Sequence, residues 1–286
     1  MGPDEVPVSR GDESLEVLAR RACDGDGESL ERLVLGLQDQ IYGVALRMLW
    51  HPEDARDAAQ EILIRIVTRL KSFRGESLLR TWAYRVAANY LLTARKSRLE
   101  RQRYTFERFG TELDEDLADE AVPADSAEHA LLLEEVKVGC TLGMLTCLDR
   151  PHRLAYVLGE ILELEGGEAA RVLGIGPAAF RKRLSRARDA IVRFTRAKCG
   201  LLSPERPCRC SRRLPHALHV GRAVPGRLLF ASDAGHALQF PSVLAEIRRL
   251  EQVRRAAALF RSQRQPIAPA EMADAVRRLI EPGPRG

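Results

Sequence analysis

Three cysteines stand close together late in the chain, Cys199, Cys208 and Cys210, spaced C-x8-C-x-C, with His216 and His219 just behind. Three thiolates and an imidazole form a tetrahedral set suited to zinc, and a Cys-x-Cys pair also suits Cu(I). Arg206, Arg209, Arg212 and Arg213 flank the group, and neighbouring positive charge favours the thiolate. The spacing differs from the C-x2–4-C of zinc fingers. Metal binding through Cys199, Cys208, Cys210 and His216 therefore stands beside thiol redox sensing and plain structural cysteines as open readings. Cys140 and Cys147 are seven apart, on one helical face with Met144 and Leu148, and read as a buried apolar stripe. Cys23 fits no pattern, and His152, behind Pro151, reads as structural. A metal- or thiol-dependent enzyme is disfavoured, because no general base, phosphate-binding glycine loop or His/Asp constellation accompanies the cysteines.

The second kind of chemistry is recognition of a polyanion. Residues 80–103 hold seven basic residues and one acid, interleaved with Trp82, Tyr84 and Tyr90, and residues 177–198 hold eight basic residues and one acid. Basic side chains gain affinity by releasing counterions from phosphates, and aromatic faces stack on unpaired bases. A solvated charged face with core aromatics is the plain alternative for the first segment. The second is preceded by Gly166–Leu173 and a Gly174-Ile-Gly176 turn. Short helix, tight turn and longer basic helix form the helix-turn-helix pattern, whose second helix enters a major groove. Ala169, Val172 and Leu173 are expected to pack on Phe180, Leu184 and Ile191.

These segments need helices to position them. The chain has 286 residues and a net charge of +5, with 45% hydrophobic, 30% charged and only 5% aromatic residues. That composition favours a folded, all-α protein over a β-sandwich or a disordered chain. No uncharged apolar stretch is long enough to span a membrane. The first residues lack the basic and apolar parts of a signal peptide, so a cytoplasmic protein without a membrane partner is expected. Helical spacing runs from Ser29 through Met48, resumes at Pro52 and again behind Ser77, a candidate cap for a helix reaching about Arg103. Residues 104–135 carry eleven acids against one basic residue, Arg108, and read as a linker. Helical spacing resumes near Ala127 and continues to about Glu165, with a helix start near Pro151, and two more helices are expected at about 241–263 and 269–281.

Two runs within these elements resemble a known family. Asp54-Ala-Arg-Asp57-Ala-Ala-Gln60-Glu61 with Phe73-Arg-Gly-Glu-Ser-Leu-Leu-Arg-Thr-Trp82-Ala-Tyr-Arg-Val-Ala-Ala-Asn89 is similar to region 2 of extracytoplasmic-function (ECF) sigma factors, of the sigma-70 family. Phe180-Arg-Lys-Arg183-Leu-Ser-Arg186-Ala-Arg188 resembles their region 4 recognition helix. The resemblance implies an N-terminal tail and first helix (1–28), region 2 (29–103), an acidic linker (104–129), region 4 (130–198) and a Cys-rich helical C-terminal extension (199–286). It further implies a non-enzymatic initiation factor whose partners are core RNA polymerase and promoter DNA. Asp54, Asp57, Gln60 and Glu61 would dock on the polymerase clamp. Phe73, Arg74, Gly75, Glu76, Ser77, Arg80, Trp82, Arg85, Asn89, Arg95 and Lys96 would engage the −10 element, Trp82 serving equally as a core anchor.

On the same resemblance, Arg181, Lys182, Arg183, Ser185, Arg186 and Arg188 would serve the −35 element. The acidic linker would thread a basic polymerase channel, the alternative being a solvated tether. Ala179 and Lys182 replace frequent hydroxyl residues, so the −35 sequence does not follow. Arg56 stands where an acid is frequent and Val67 where Trp is. Some family members carry Cys-rich extensions that sense metal. Sigma activity itself requires no cofactor, but zinc or copper at the C-terminal cysteines is expected on this analogy. Regulation would come from an anti-sigma factor or from the extension, whose helices would pack on region 4 or cover its DNA face. A stand-alone helix-turn-helix regulator with a metal-sensing cysteine cluster is the alternative; region 2 argues against it.

Overall fold

The computed structural model describes residues 13–94, 104–115, 117–119 and 126–280. Among these the chain is all-α, with no strand beyond an isolated parallel bridge between Cys199 and Cys208. Helix α1 (Leu15–Cys23) begins at Ser14 and α2 (Gly27–Leu49) at Asp26, both side chains accepting backbone N–H groups of the first turn. On α2, Leu33, Leu37, Ile41, Val44 and Met48 are buried, the stripe a 3.6-residue period produces. Pro52 opens α3 (Pro52–Thr68), where a missing N–H costs nothing. A 3-10 turn at Leu70–Ser72 leads to α4 (Leu79–Thr93). These helices form the first lobe.

The second lobe contains α5 (Phe106–Asp114), α6 (Ala127–Thr146), α7 (Arg150–Tyr156) with its π-helical continuation Val157–Ile161, α8 (Gly166–Leu173) and α9 (Pro177–Lys198). Gly174 closes α8 in the left-handed region, at φ +63°, a conformation only glycine adopts without penalty. Phe180, Ala187 and Ile191 of α9 are buried with Ala169 and Val172 of α8, as the helix-turn-helix pattern requires. The extension adds α10 (Cys210–His219), α11 (Ala234–Arg249), α12 (Gln252–Arg261) and α13 (Glu271–Ile280). No helix among the described residues is long and apolar enough to cross a membrane.

One continuous apolar core runs through both lobes and into the extension. The lobes are joined by specific bonds. Arg153, 1% exposed, donates to the carbonyls of Leu145 (2.9 Å), Thr146 (3.0 Å) and Leu148 (2.9 Å) and to that of Met48 in α2. The Trp50 indole donates to Gly139 at 3.3 Å. Arg150 donates to the Leu91 and Ala94 carbonyls at 2.9 and 2.5 Å, covering the open C-terminal end of α4. The extension then crosses from one lobe to the other. Helix α11 packs on α6, α12 on α9, and α13 on α2 and α3. Asp39 of α2 accepts the Ala268 N–H at 2.8 Å, and Arg277 pairs with Glu31.

Several expectations are corrected. Ser77 does not cap α4; Leu78 occupies that position, and Glu16 of α1 accepts the Leu79 N–H at 2.9 Å. That bond is the largest reason the Glu16 carboxyl lies below its ordinary value. The described helix ends at Thr93, and Arg95 and Lys96 lie outside the described residues. The acidic linker contains a capped helix, α5, with buried Phe109 and Leu113. Its Phe106 and Phe109 rings lie 5.1 and 5.4 Å from that of Phe194. The helical stretch expected from Ala127 is interrupted at Cys147, and Asp149 caps a new helix by accepting the His152 N–H at 2.9 Å, at the helix start expected near Pro151. The expected 241–263 helix is two, α11 running through Pro241 and α12 starting beyond Leu250.

Candidate nucleic-acid interface and cysteine cluster

The acidic face of α3 and the basic face of α4 adjoin. Asp54 and Asp57 are exposed, and Gln60 and Glu61 are half-buried. Glu61 accepts a bond from Arg65 at 2.8 Å, and the Arg65 guanidinium lies 4.8 Å above the Tyr90 ring of α4. Arg56, at a position where the family favours an acid, pairs with Asp57 at 3.3 Å. In the loop before α4, Arg74, Gly75 and Glu76 are exposed and Gly75 has φ +73°, so a side chain there would strain the turn. Phe73 and Trp82 rest against each other, ring centres 5.8 Å apart. Both are half-buried, as anchors of the loop with an edge toward solvent. Arg80, Arg85 and Asn89 are exposed, the last two one turn apart on one face.

Of the polar and basic residues expected to read DNA on α9, Arg181, Lys182, Ser185 and Arg186 are exposed and Arg183 is half-buried. Arg188 is set apart from them: its Nε donates to Glu160 at 2.9 Å and its Nη2 completes the pair. The extension meets the far half of α9, where Arg206 donates to the Arg196 carbonyl at 3.0 Å. The first two turns of α9 stay exposed; of the two arrangements expected for the extension, it packs on this lobe, through α12 on α9.

What is covered is the other side of α4. It packs against α8, the first helix of the helix-turn-helix, and the Thr81 hydroxyl donates to Glu168 at 2.5 Å. The linker is also tied down. Arg213 donates to the Glu115 carbonyl at 2.5 Å, Arg212 to that of Ala118 at 2.7 Å, and Lys198 pairs with Asp114.

Cys199, Cys208, Cys210 and His216 line one cavity of about 320 Å³, and Cys140 of α6 lines it too. Cys140 and Cys147 also pack against the core that holds Met144 and Leu148, as the stripe reading expects, and the Cys147 Sγ lies 3.4 Å from the Gly143 carbonyl. Burial raises all five of these thiols, Cys208 to about 11 and Cys147 to about 12. This reverses the expected lowering by flanking arginines, which act on Cys199 and Cys208 but more weakly than desolvation. Among the described residues no trio of His, Cys, Asp or Glu is already drawn together tightly enough to hold a metal ion. Sequence spacing missed Cys140 as a neighbour of this group, and it missed buried Glu135. The latter accepts the N–H groups of Leu229, Phe230 and Ala231 at 2.8, 2.8 and 2.9 Å, anchoring the loop that enters α11.

Comparison with known proteins bears on these surfaces. Sigma-70 region 2 matches residues 33–101, which include α3, the turn after it and α4. The RNA polymerase sigma-H factor of Pseudomonas aeruginosa is 32% identical over 177 residues, 61% of this chain and 90% of that protein. The ECF RNA polymerase sigma factor SigW of Bacillus subtilis is 30% identical over 173 residues, 58% of this chain and 89% of its own. A solved structure of CnrH in complex with the cytosolic domain of CnrY aligns with a TM-score of 0.47 and 20% identity, over 65% of this chain and 99% of that one. The alignments with the two named sigma factors span nearly the whole of each and leave over a third of this chain unmatched. By these matches the chain belongs to the extracytoplasmic-function sigma factors of the sigma-70 family, RNA polymerase subunits that direct transcription.

Proposed function

We propose that this cytoplasmic sigma factor carries its own restraint: the C-terminal extension holds the two promoter-reading modules together until polymerase and promoter separate them. In the open state Asp54, Asp57, Gln60 and Glu61 dock on core polymerase. The Phe73–Ser77 loop with Arg80, Trp82, Arg85 and Asn89 captures the −10 element, Arg95 and Lys96 continuing its basic run. Arg181, Lys182, Arg183, Ser185 and Arg186 read the −35 element. Cys199, Cys208, Cys210 and His216 are the candidates for coupling the restraint to zinc or copper, while initiation itself needs no cofactor.

The observation that carries this reading is the packing of α4 on α8, with the extension bridging both lobes. Helices in contact lie about 8–10 Å apart, so α4 and α9, separated by α8, stand within roughly 20 Å. The −10 and −35 elements are about 25 base pairs apart, roughly 85 Å at ~3.4 Å per pair. The closed arrangement cannot reach both at once.

The test is run-off transcription with purified core polymerase, titrating the wild-type chain and a Thr81→Ala/Asp39→Ala double variant. These changes remove one bond between the lobes and one bond holding α13. The variant is expected to reach half-maximal transcription at a several-fold lower concentration. Equal titration curves would argue against the restraint. Failure of the wild type to bind core polymerase would overturn the docking assignment, and Asp57→Arg is expected to weaken that binding.

A further inference from the structure

The cavity of about 320 Å³ lies where the linker helix, the second lobe and the extension meet. Its floor is α6, on which Gly139 and Gly143 stand one turn apart. A Cβ would fall 3.5 Å from the Phe230 ring at the first and 3.3 Å from the Phe109 ring at the second. Phe109 belongs to α5 and Phe230 to the loop before α11, so the linker and the extension each lay an aromatic ring on the same helix. Phe230 is fixed there by its N–H bond to Glu135 at 2.8 Å. Trp50, Tyr104 and Phe194 add three more rings to the lining. Small-molecule sites have this character, with roughly 300–1,000 Å³ of mostly apolar space and a few placed polar groups.

Positive charge is in excess around it. Arg108, Lys137, Arg213 and Arg222 line the cavity against two carboxylates, Glu112 and Glu135. Lys137 is paired with Glu134 beside it, which leaves three guanidiniums facing two acids. Glu135 is committed to the backbone of residues 229–231. Glu112 is shared: Arg108 of α5 and Arg222 of the extension each approach it at 3.4 Å, and the Tyr104 hydroxyl donates to it at 2.6 Å. A charge-assisted N–H···O bond is about 2.7–2.9 Å long, so neither guanidinium is drawn fully onto this carboxylate. Both arginines are exposed and stand at the mouth of the cavity.

We propose that this cavity binds a small, flat, apolar monoanion, an aromatic carboxylate by chemical class. Its ring system would lie among Phe109, Phe194 and Phe230, where stacked and edge contacts add to apolar burial. Its carboxylate would sit between Arg108 and Arg222, giving the two guanidiniums two carboxylates to pair with instead of one. An uncharged ring gains the same burial but leaves the excess charge unanswered, and a cation adds to it. Arg108 stands on the linker helix and Arg222 on the extension, so a bound anion would tie the two together. The proposal therefore deepens the restraint reading above by naming a ligand that would hold the chain closed. Binding is nevertheless measured without polymerase, and either claim can fail alone.

The experiment is calorimetric titration of the full-length reduced chain with three probes that share one ring system: naphthoate, naphthylmethanol and naphthylmethylammonium. One site per chain is expected, with naphthoate bound at least about tenfold more tightly than the alcohol, the worth of one charge-assisted bond, and the ammonium weakest. The double variant Arg108→Ala/Arg222→Ala should bring naphthoate to within about threefold of the alcohol while leaving the alcohol's affinity unchanged. Cys140→Phe, which fills the cavity from its floor, should abolish binding of both. Should Cys140→Phe misfold, the double variant of two exposed residues still decides the question. No saturable binding of naphthoate, equal affinity for acid and alcohol in the wild type, or equal losses for both probes in the double variant would each overturn the proposal.

Discussion

Arg153 and Glu135 each satisfy several backbone groups from a buried position, and each makes a prediction at its own scale. Arg153 serves four carbonyls from two lobes. Arg153→Ala would leave them without a donor, at about 1–3 kcal/mol for each buried group that water does not reach. A loss of at least about 3 kcal/mol is expected in urea unfolding, and a change under 1 kcal/mol would contradict the assignment. Glu135, 2% exposed, has its pKa raised, chiefly by burial, against the lowering pull of its three N–H donors. A carboxyl whose folded pKa is raised contributes stability that is complete below its unfolded pKa and lost as pH rises through the folded value. Unfolding free energy measured between about pH 4 and 8 should therefore fall with pH in the wild type more than in Glu135→Gln.

Recognition residues separate at the same scale. Arg186 is exposed on the open turns of α9, whereas Arg188 is held by Glu160. Arg186→Ala is expected to weaken −35 DNA binding and, if it contacts a phosphate, to reduce the salt slope by about one. Arg188→Ala should leave that slope unchanged and lower stability instead. Titration of a −35 duplex at several salt concentrations distinguishes them.

At the scale of elements, the order in which helices hold the molecule closed is set by their contacts. The α13 segment is held to α2 by the Ala268–Asp39 bond and an exposed Arg277–Glu31 pair, and exposed pairs contribute little. It is thus expected to open before the core. Asp39→Ala should speed amide exchange across residues 265–280 several-fold while leaving α7 and α9 unchanged. Uniform acceleration would instead mean that α13 is part of the global folding unit.

The same scale shows what could be read from the chain. The stripe of α2, Pro52 at the start of α3 and the Gly174 turn were legible because each is a local rule of period or backbone conformation. Helix α5 carried a signal, Phe106, Phe109 and Leu113 behind Thr105, that the surrounding acids masked. The break before α7 was signalled by Asp149 and Pro151. The cap supplied by Glu16 to Leu79, the meeting of Cys140 with Cys199, Cys208 and Cys210, and the burial of Glu135 under a distant loop had no local signal. They follow from helix packing, which spacing along the chain does not encode.

At the scale of the whole molecule, the net charge of +5 averages surfaces with different duties. The basic turns of α9 face outward, the acids of α3 form a separate patch, and the acidic linker is fastened to the extension through Arg212 and Arg213. The charge that would hold promoter DNA at two separated places is thus folded onto one body. The most direct test of this account is the distance between dyes on genetically encoded azide side chains at exposed Lys71 and Arg171. It is measured by energy transfer in the free chain and in the complex with core polymerase and promoter. The account predicts high transfer in the free chain and a loss of most of it on forming the transcribing complex. High transfer that persists in a transcriptionally active complex would contradict it.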